Sequence, residues 1–199
     1  MKDTYKAITT PATGVFKDKG SKFLAFAFPV ENETEIKQHI QQLKKEYFDA
    51  RHHCYAYRLG LNGELWRAND DGEPSSTGGK PILGQLLSLE LTNVLVVVVR
   101  YFGGIQLGVS GLINAYRSAT ADALVQAQIV EKVAKEILTV NFSYLDMNQI
   151  MKLVKEEELE IISQHFDNEC KIKLAIPLSK KDKIVSELSS LIARIYTNC

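Results

Sequence analysis

Three segments of the chain carry more polar side chains and glycines than a folded core requires. They span residues 51–58, 70–81 and 100–112, and they hold the side chains best suited to chemistry. Loops at the ends of strands often open onto one crevice, and binding residues concentrate on such loops. We therefore expect the three segments to converge on one site.

The first segment offers a thiol beside two imidazoles, at Cys54, His52 and His53. A cysteine paired with a histidine base is an arrangement of nucleophilic enzymes. Neighbouring residues of a strand point to opposite faces, so only His52 and Cys54 would share a face. A buried, inert cysteine is the more common case, and the sequence favours it here.

The second segment contains three carboxylates, at Asp70, Asp71 and Glu73. Their oxygens suit a hard cation such as Mg²⁺, but the spacing matches no diagnostic ligand pattern. The alternatives are solvated carboxylates in a turn, or carboxylates paired with Arg58 or Arg100. Because Arg58 ends a strand with apolar neighbours, we expect at least one of these carboxylates to lie near it. We predict neither a bound metal nor a cofactor.

The third segment is rich in glycine from Gly103 to Gly111, between a predicted buried strand and a predicted helix. Backbone N–H groups at such a helix start attract phosphate, and Arg100 and Lys80 would add positive charge. The segment lacks both the G-x-G-x-x-G pattern of dinucleotide sites and the G-x-x-x-x-G-K-[ST] pattern of P-loops. A tight turn with glycines at positive φ is the alternative, and both interpretations stay open.

Aromatic side chains accompany the arginines of these segments. Tyr101 and Phe102 follow Arg100, and Tyr57 precedes Arg58. Aromatic rings beside arginines stack nucleic-acid bases. Packing in the core and the hairpin is the simpler explanation for the same pattern.

The composition is that of an ordinary globular protein. The 199 residues are 45% apolar and 24% charged, with 24 basic and 24 acidic side chains. This balance excludes intrinsic disorder as the default, and neither half of the chain is a polycation. No apolar run approaches the roughly 20 residues that span a bilayer, and the N-terminus lacks the apolar stretch of a secretion signal. We therefore expect a cytoplasmic protein without a membrane partner.

Apolar patterning predicts the elements that position the three segments. Candidate strands cover residues 5–10, 14–17, 23–28, 53–61, 64–67 and 93–101. Candidate helices follow Asn32, begin near Pro81, and begin at Gly108 or Ser110. The strand at 23–28 is apolar on both faces, so we expect it to be covered on both.

The pattern changes at about residue 131. Candidate strands then cover residues 137–142, 159–166, 170–177 and 194–197, with helices at 146–158 and 180–193. The order β-α-β-β-α-β is typical of a ferredoxin-like domain. The sequence therefore predicts an α+β protein of two domains, 1–131 and 132–199.

The ordered residues 52–58, 70–81 and 96–108 resemble the IMPACT (YigZ-like) family. The resemblance covers roughly residues 15–128, and the tail resembles the extra C-terminal domain of the bacterial members. The family usually has glycine in place of Ser76 and alanine in place of Gly78. It also usually has a small residue and then glycine in place of Val109 and Ser110.

The resemblance implies a first domain of the ribosomal protein S5 domain 2-like type, followed by a ferredoxin-like domain. It also implies a non-enzymatic, translation-related regulator, with RNA, the ribosome or a translation-related protein as partner. The alternative is a small-molecule enzyme or a phospholigand-binding protein that uses the loops at 70–81 and 103–111.

No residue is predicted to be catalytic, and eleven are candidates for binding a ligand or nucleic acid. They are His53, Arg58, Asp70, Asp71, Glu73, Lys80, Arg100, Tyr101, Gly103, Gly104 and Gly108. We expect charge reversal at Lys80 and Arg100 to weaken the binding of RNA, because phosphate contacts depend on positive charge.

Overall fold

The structure is a computed structural model that describes residues 3–167 and 170–191, together with the backbone of residues 195–197. Helices and strands are mixed in an α+β arrangement. The chain divides into two compact units, Tyr5–Lys132 and Met1–Thr4 with Val133–Cys199. Among the described residues, no helix is both long enough and apolar enough to cross a membrane.

A five-stranded antiparallel sheet forms the centre of the first unit. The strands of this unit are β1 (Thr4–Ile8), β2 (Ala12–Asp18), β3 (Ser21–Pro29), β4 (His52–Leu59), β5 (Leu65–Asn69), β6 (Val94–Tyr101) and β7 (Ile129–Val133). The helices are α1 (Glu33–Glu46), α2 (Gly79–Ser88) and α3 (Gly108–Gln126). The sheet has the strand order β2-β3-β6-β4-β5, and β1 pairs separately with β7, a strand that the apolar pattern did not predict.

Strand β6 lies at the centre of the sheet because its residues are apolar in both directions. Val96 and Val98 belong to the core beneath α2 and α3, whereas Leu95 and Val97 belong to the core beneath α1. Alternate residues of β3 divide between the same two cores, so its predicted coverage on both faces is confirmed. The sheet is therefore a rigid layer that fixes the loops at its ends.

Local features of the sequence explain where helix α1 begins and where the chain turns between strands β4 and β5. The side-chain oxygen of Asn32 accepts a hydrogen bond from the backbone N–H of Glu35 at 3.0 Å, so the predicted cap of α1 is confirmed. Strands β4 and β5 pair as a hairpin whose last pair is Leu59 and Leu65, so residues 60–64 form the loop between them.

The second unit follows the β-α-β-β-α-β order that the sequence predicted. Its elements are β8 (Lys135–Phe142), α4 (Met147–Glu156), β9 (Glu160–Phe166), β10 (Cys170–Pro177), α5 (Lys181–Leu191) and β11 (Ile195–Thr197). The four-stranded sheet has the order β11-β8-β10-β9, and β10 is antiparallel to both of its neighbours. Both helices pack on one face of this sheet. Ala193, where the second predicted helix ends, lies outside the described residues.

Candidate functional site

The three segments that we expected to converge line one cleft in the first unit, with a volume of about 450 Å³. The first segment contributes Arg51 and His52, and the second contributes Glu73 and Pro74. The third segment contributes several residues between Arg100 and Leu112. The predicted convergence is confirmed.

The register of the sheet brings the first and third segments together. His52 at the start of β4 pairs with Arg100 at the end of β6, and residues paired in this way project from the same face. The chain then turns at Gly103, where a Cβ atom would lie 1.9 Å from the backbone carbon of Gly20. Only glycine fits there, and the turn leads into Gly108 at the start of α3, which lines the cleft.

A buried ion pair forms part of the wall of the cleft. The Glu73 carboxylate accepts hydrogen bonds from the Arg100 guanidinium at 2.5 Å and from the Tyr116 hydroxyl at 2.7 Å. The side chains of Glu73 and Arg100 are only 3% and 8% exposed. A buried charge needs a partner, so each of these charges is neutralised by the other. Arg100 is therefore a structural cation, and its charge is not free for a ligand.

Arg100 is also held between two aromatic rings. Its guanidinium carbon lies 5.4 Å from the ring centroid of Phe23 and 5.7 Å from that of Phe102. Its Nε atom is buried and has no hydrogen-bond partner in the described part of the chain. Phe102 thus rests against a fixed cation on one side while its ring is 44% exposed.

The Asp70 carboxylate occupies the start of α2. One oxygen accepts the backbone N–H groups of Gly78 and Gly79 at 2.9 and 2.8 Å, and the other accepts that of Ser76 at 2.8 Å. The first N–H groups of a helix carry positive partial charge and lack partners within the helix. Asp70 therefore caps α2 and fixes the loop before it.

Asp71 points away from Asp70 and joins the loop to α1. Its carboxylate accepts hydrogen bonds from Lys44 Nζ at 2.9 Å and from the backbone N–H of His53 at 2.7 Å. Burial opposes ionisation, but these two donors outweigh it and lower the pKa of Asp71. The Asp71 carbonyl lies 2.8 Å from His52 Nδ1, which carries the proton because a carbonyl oxygen only accepts.

His53 lies on the α1 side of the sheet rather than in the cleft. It is 5% exposed, and its Nδ1 atom lies 3.8 Å from the Asp71 carboxylate. Burial lowers the pKa of His53, since the charged imidazolium loses its hydration. His53 is therefore a buried neutral side chain that connects the loop to the sheet.

Cys54 is a packed, protonated thiol. Its Sγ atom is fully buried and donates to the Asp70 carbonyl at 2.9 Å. Burial raises the pKa of the Cys54 thiol, and burial also raises the pKa of the neighbouring Tyr116 hydroxyl. A thiol in this state is a poor nucleophile, so the structural interpretation of Cys54 is the better one.

The three carboxylates of the second segment diverge instead of gathering around one point. Asp70 binds the start of α2, Asp71 binds Lys44, and Glu73 binds Arg100. In the part of the chain that the structure describes, no three His, Cys, Asp or Glu side chains are grouped as metal ligands. Each of these three carboxylates therefore stabilises a different part of the fold.

The start of α3 differs from that of α2 because no side chain caps it. Among the described residues, no side chain is hydrogen-bonded to its first N–H groups, and its first turn contains no acidic residue. Gly108 and Val109 are exposed there and line the cleft beside Phe102. The cleft therefore combines uncapped backbone donors, an exposed aromatic ring and the exposed side chain of Arg51.

The sequence relatives of the chain identify its family. The family model of the Impact N-terminal domain matches residues 19–124. YigZ of Escherichia coli K12 is 32% identical over 185 residues, which are 92% of this chain and 89% of YigZ. The chain belongs to the IMPACT family. YvyE of Bacillus subtilis, another IMPACT family member, is 36% identical over 146 residues, which are 73% of this chain and 67% of YvyE.

A solved structure is similar to this IMPACT protein along its whole length. The crystal structure of a hypothetical protein matches with a TM-score of 0.73 and 27% sequence identity. The match covers 100% of this chain and 99% of that one. All residues that line the cleft fall within the Impact N-terminal match.

Two positions where the sequence differs from the pattern that the resemblance implies lie in the Asp70 loop. Ser76 adopts a φ of 67°, a conformation that favours glycine, the residue that the resemblance implies here. At Gly78, the Cβ of the alanine that the resemblance implies would lie 2.6 Å from Cys54 Sγ. Gly78 therefore makes room for the cysteine beneath the loop.

The prediction that Arg58 lies near a carboxylate of the second segment is wrong. Arg58 Nη1 donates to the Leu91 carbonyl at 2.7 Å, and Nη2 donates to the Asn62 carbonyl at 2.9 Å. Arg58 pairs with Val94 at the beginning of β6, whereas the cleft lies where β6 ends. Arg58 lies six residues along β4 from His52, which lines the cleft, and six residues of a strand span about 20 Å. Through these two hydrogen bonds, Arg58 instead joins the turn at Asn62 to the chain at Leu91 within the IMPACT domain.

Several other predicted residues do not line the cleft. Lys80 is exposed on the first turn of α2, and the Tyr101 hydroxyl donates to Asp49 at 2.8 Å. Gly104 is exposed at a φ of 88°. The cleft itself brings together three of the eleven candidates, Glu73, Arg100 and Gly108.

Five exposed residues of the cleft are not among the eleven candidates. They are Arg51, Pro74, Phe102, Gln106 and Val109. Arg51 precedes β4, and its backbone N–H donates to the Arg100 carbonyl at 3.3 Å. The antiparallel pairing of the two strands, if known, would have placed Arg51 beside the third segment.

Proposed function

We propose that this protein is a non-enzymatic, translation-related member of the IMPACT family whose cleft binds one nucleotide unit of an RNA chain. The phosphate lies at the start of α3, and the base stacks on Phe102. The observation that carries this proposal is the uncapped start of α3, which opens into the cleft beside an exposed aromatic ring.

The phosphate is recognised by the first backbone N–H groups of α3. A helix start without a capping side chain or an acidic residue attracts anions. Arg51 adds positive charge from the opposite segment. Glu73 does not repel the phosphate strongly, because Arg100 neutralises it at 2.5 Å. The charge that remains unpaired in the cleft is therefore positive.

The base is recognised by stacking. Phe102 is 44% exposed, and the Arg100 guanidinium supports the ring from 5.7 Å away. Stacking on an aromatic ring contributes about 1–3 kcal/mol per base and tolerates every base. The proposed contact is therefore one that binds RNA with little sequence preference.

A binding role is supported over catalysis by the state of the reactive groups. The Cys54 thiol is buried, and burial raises its pKa. Among the described residues, the carboxylates of the second segment are held by Lys44, Arg100 and the start of α2. These groups hold the loops in place, and general acid–base work needs a group that is free to exchange a proton.

The size of the cleft favours a second candidate, a free phosphorylated small molecule. Its volume of about 450 Å³ lies within the range of small-ligand sites, about 300–1,000 Å³. A free nucleotide offers the same phosphate and base as one unit of RNA. The two sources are separated by competition between them.

The test uses fluorescence anisotropy of a short labelled oligouridine with the full chain. We expect Phe102→Ala to weaken binding by about 5- to 150-fold, because it removes one stacking contact. We expect Arg51→Glu to weaken binding and to lower the slope of log K against log salt by about 0.7. Phe48→Ala, at a ring that is 83% exposed elsewhere, and Arg67→Glu on β5 are the matched controls and should bind like the wild type.

Three outcomes decide between the candidates. Displacement of the oligouridine only by other RNA supports the RNA proposal. Displacement by uridine monophosphate at similar concentrations favours the small phosphorylated ligand. Wild-type protein that binds neither molecule contradicts both candidates and leaves a protein partner as the remaining kind of ligand.

We further propose that the RNA is part of the translation apparatus, which would place the protein in the cytoplasm. The support is the resemblance of the three motifs to a family whose eukaryotic members regulate translation. Co-sedimentation with ribosomes tests it: wild-type protein should pellet with them, and Phe102→Ala should pellet less. Wild-type protein that stays entirely in the supernatant would refute a ribosomal partner.

A further inference from the structure

The sheet of the second unit has one face that its own helices leave uncovered. Leu138, Val140, Ile172 and Leu174 point into the core beneath α4 and α5. The alternate residues of β8 and β10, and those of β9 paired with them, therefore project from the other face. In the register of the sheet, they form two rows across three strands, Asn141–Lys171–His165 and Thr139–Lys173–Ser163. We name these six residues the lysine face.

The charge of the lysine face is positive. Its two lysines lie on β10, and among the described side chains no carboxylate forms an ion pair with either. Elsewhere in the same unit, Lys180 pairs with Glu157 at 3.2 Å and Lys181 pairs with Glu136 at 2.8 Å. Glu160 lies beside the face and is neutralised by Lys135 at 2.7 Å. The two rows themselves contain no acidic residue.

Thr139 adds an unusual feature at the centre of this face. The residue is 5% exposed, and its Oγ1 atom has no hydrogen-bond partner among the residues that the structure describes. Leaving a buried hydroxyl unsatisfied costs about 1–3 kcal/mol, so such groups are uncommon in folded proteins. A ligand that brings a hydrogen-bonding oxygen to the face would satisfy it.

We propose that the lysine face binds the backbone of single-stranded RNA, with Lys171 and Lys173 on successive phosphates. Residues two apart on a strand have Cα atoms about 6.8 Å apart, a spacing that suits neighbouring phosphates of an extended strand. This surface belongs to a different unit from the cleft, so it is a second binding site and does not depend on the first.

The neutral residues of the two rows favour RNA over an acidic protein segment. Asn141, His165 and Ser163 flank the lysines with groups that donate and accept hydrogen bonds. The 2′-hydroxyl of RNA both donates and accepts, and it distinguishes RNA from DNA. An acidic peptide carries carboxylates, which only accept, so it would leave the accepting groups of Asn141, His165 and Ser163 unused.

The experiment compares two charge-matched double variants of the full chain. The first double variant, Lys171→Glu with Lys173→Glu, removes the positive charge of the lysine face. The second, Lys152→Glu with Lys155→Glu, makes the same charge change on α4. With labelled oligouridine from about 50 to 200 mM salt, the first pair should lower the slope of log K against log salt by about 1.4 and weaken binding about tenfold or more. The α4 pair should leave the slope at the wild-type value.

Thr139→Val gives a readout that general charge effects do not move. Valine fills the same space without the hydroxyl, so the variant should fold at least as stably as the wild type and bind RNA more weakly. Wild-type binding by this variant would remove Thr139 from the proposed contact.

Three results would overturn the RNA assignment. The first is equal affinity and equal slope for the wild type and the lysine-face pair. The second is an equal loss for the lysine-face and α4 pairs, because binding would then follow net charge alone. The third is equally effective competition by polyglutamate and by RNA at matched charge, which would assign the face to an acidic protein.

Discussion

Replacing Glu73 by glutamine should destabilise the first unit by several kilocalories per mole although the side chain keeps its shape. Glutamine cannot neutralise Arg100, which would remain 8% exposed between two aromatic rings. Removing one partner of a buried ion pair costs about 3–5 kcal/mol, because it leaves an uncompensated charge. The Tyr116 hydroxyl would also donate to a neutral amide instead of a carboxylate, which weakens that bond.

Urea unfolding gives the measurement. With a denaturant slope of about 2 kcal/mol per molar, a loss of 3–5 kcal/mol lowers the midpoint by about 1.5–2.5 M. Trp66, the single tryptophan of the chain, lies on β5, so its fluorescence reports on the first unit. Circular dichroism reports on both units and identifies the transition that moves.

Two variants test the cause of the effect. Glu90→Gln removes the carboxylate of an exposed pair with Lys6 at 3.1 Å and should cost only about 0–1 kcal/mol. Glu73→Gln combined with Arg100→Met removes both charges and should recover most of the lost stability. A Glu73→Gln protein within about 1 kcal/mol of the wild type, or a double variant no more stable than the single one, would refute a buried ion pair.

Three further predictions concern the loop that lines the cleft. Gly78→Ala should lower stability by about 1–3 kcal/mol in thermal unfolding, and Cys54→Ala should recover part of the loss, because the new Cβ would lie 2.6 Å from Sγ. Asp70→Asn should cost about 0.5–2 kcal/mol in urea, since it weakens the cap of α2; an unchanged midpoint would contradict that role. Burial lowers the pKa of His53 below 6.5, so the unfolded state takes up a proton that the native state does not. The free energy of unfolding should therefore fall as the pH drops below 6.5 towards the folded pKa, and His53→Gln should flatten this slope between pH 7.5 and 5.5.

The elements of the fold were predictable because their signals are local. Four consecutive valines at Val96–Val99 suit only a strand covered on both faces, and that strand lies in the middle of the sheet. Asn32 marks a helix start through its own side chain. The β-α-β-β-α-β order of the second unit follows from the alternation of apolar periods along the chain.

The site was predictable only in part, because it depends on strand register. The three segments do meet, but Arg58 and Arg100 lie at opposite ends of β6, since β4 runs antiparallel to it. Local patterns do not encode which end of one strand meets which end of another. For the same reason, Arg51 was not among the candidate residues, although its backbone N–H donates to the Arg100 carbonyl.

The partners of the acidic residues were equally hidden from the sequence. A carboxylate before a helix can cap it, pair with a cation or face water, and each choice depends on tertiary neighbours. Asp70 caps α2, Asp71 joins α1 through Lys44, and Glu73 neutralises Arg100. These three acids, which lie within four residues of the chain, hold three different parts of the domain together.

These pairings explain how a chain without net charge can present positive surfaces. With 24 basic and 24 acidic residues, any surplus must come from where the charges are paired rather than from their number. In the cleft, the Glu73 carboxylate is paired with Arg100, so the exposed Arg51 and the start of α3 would face the proposed ligand. On the sheet of the second unit, Lys171 and Lys173 stand in rows that contain no carboxylate. Contacts with phosphate weaken with salt according to the number of such local cations. The salt dependence of the proposed RNA binding would therefore measure this distribution directly, which net charge does not.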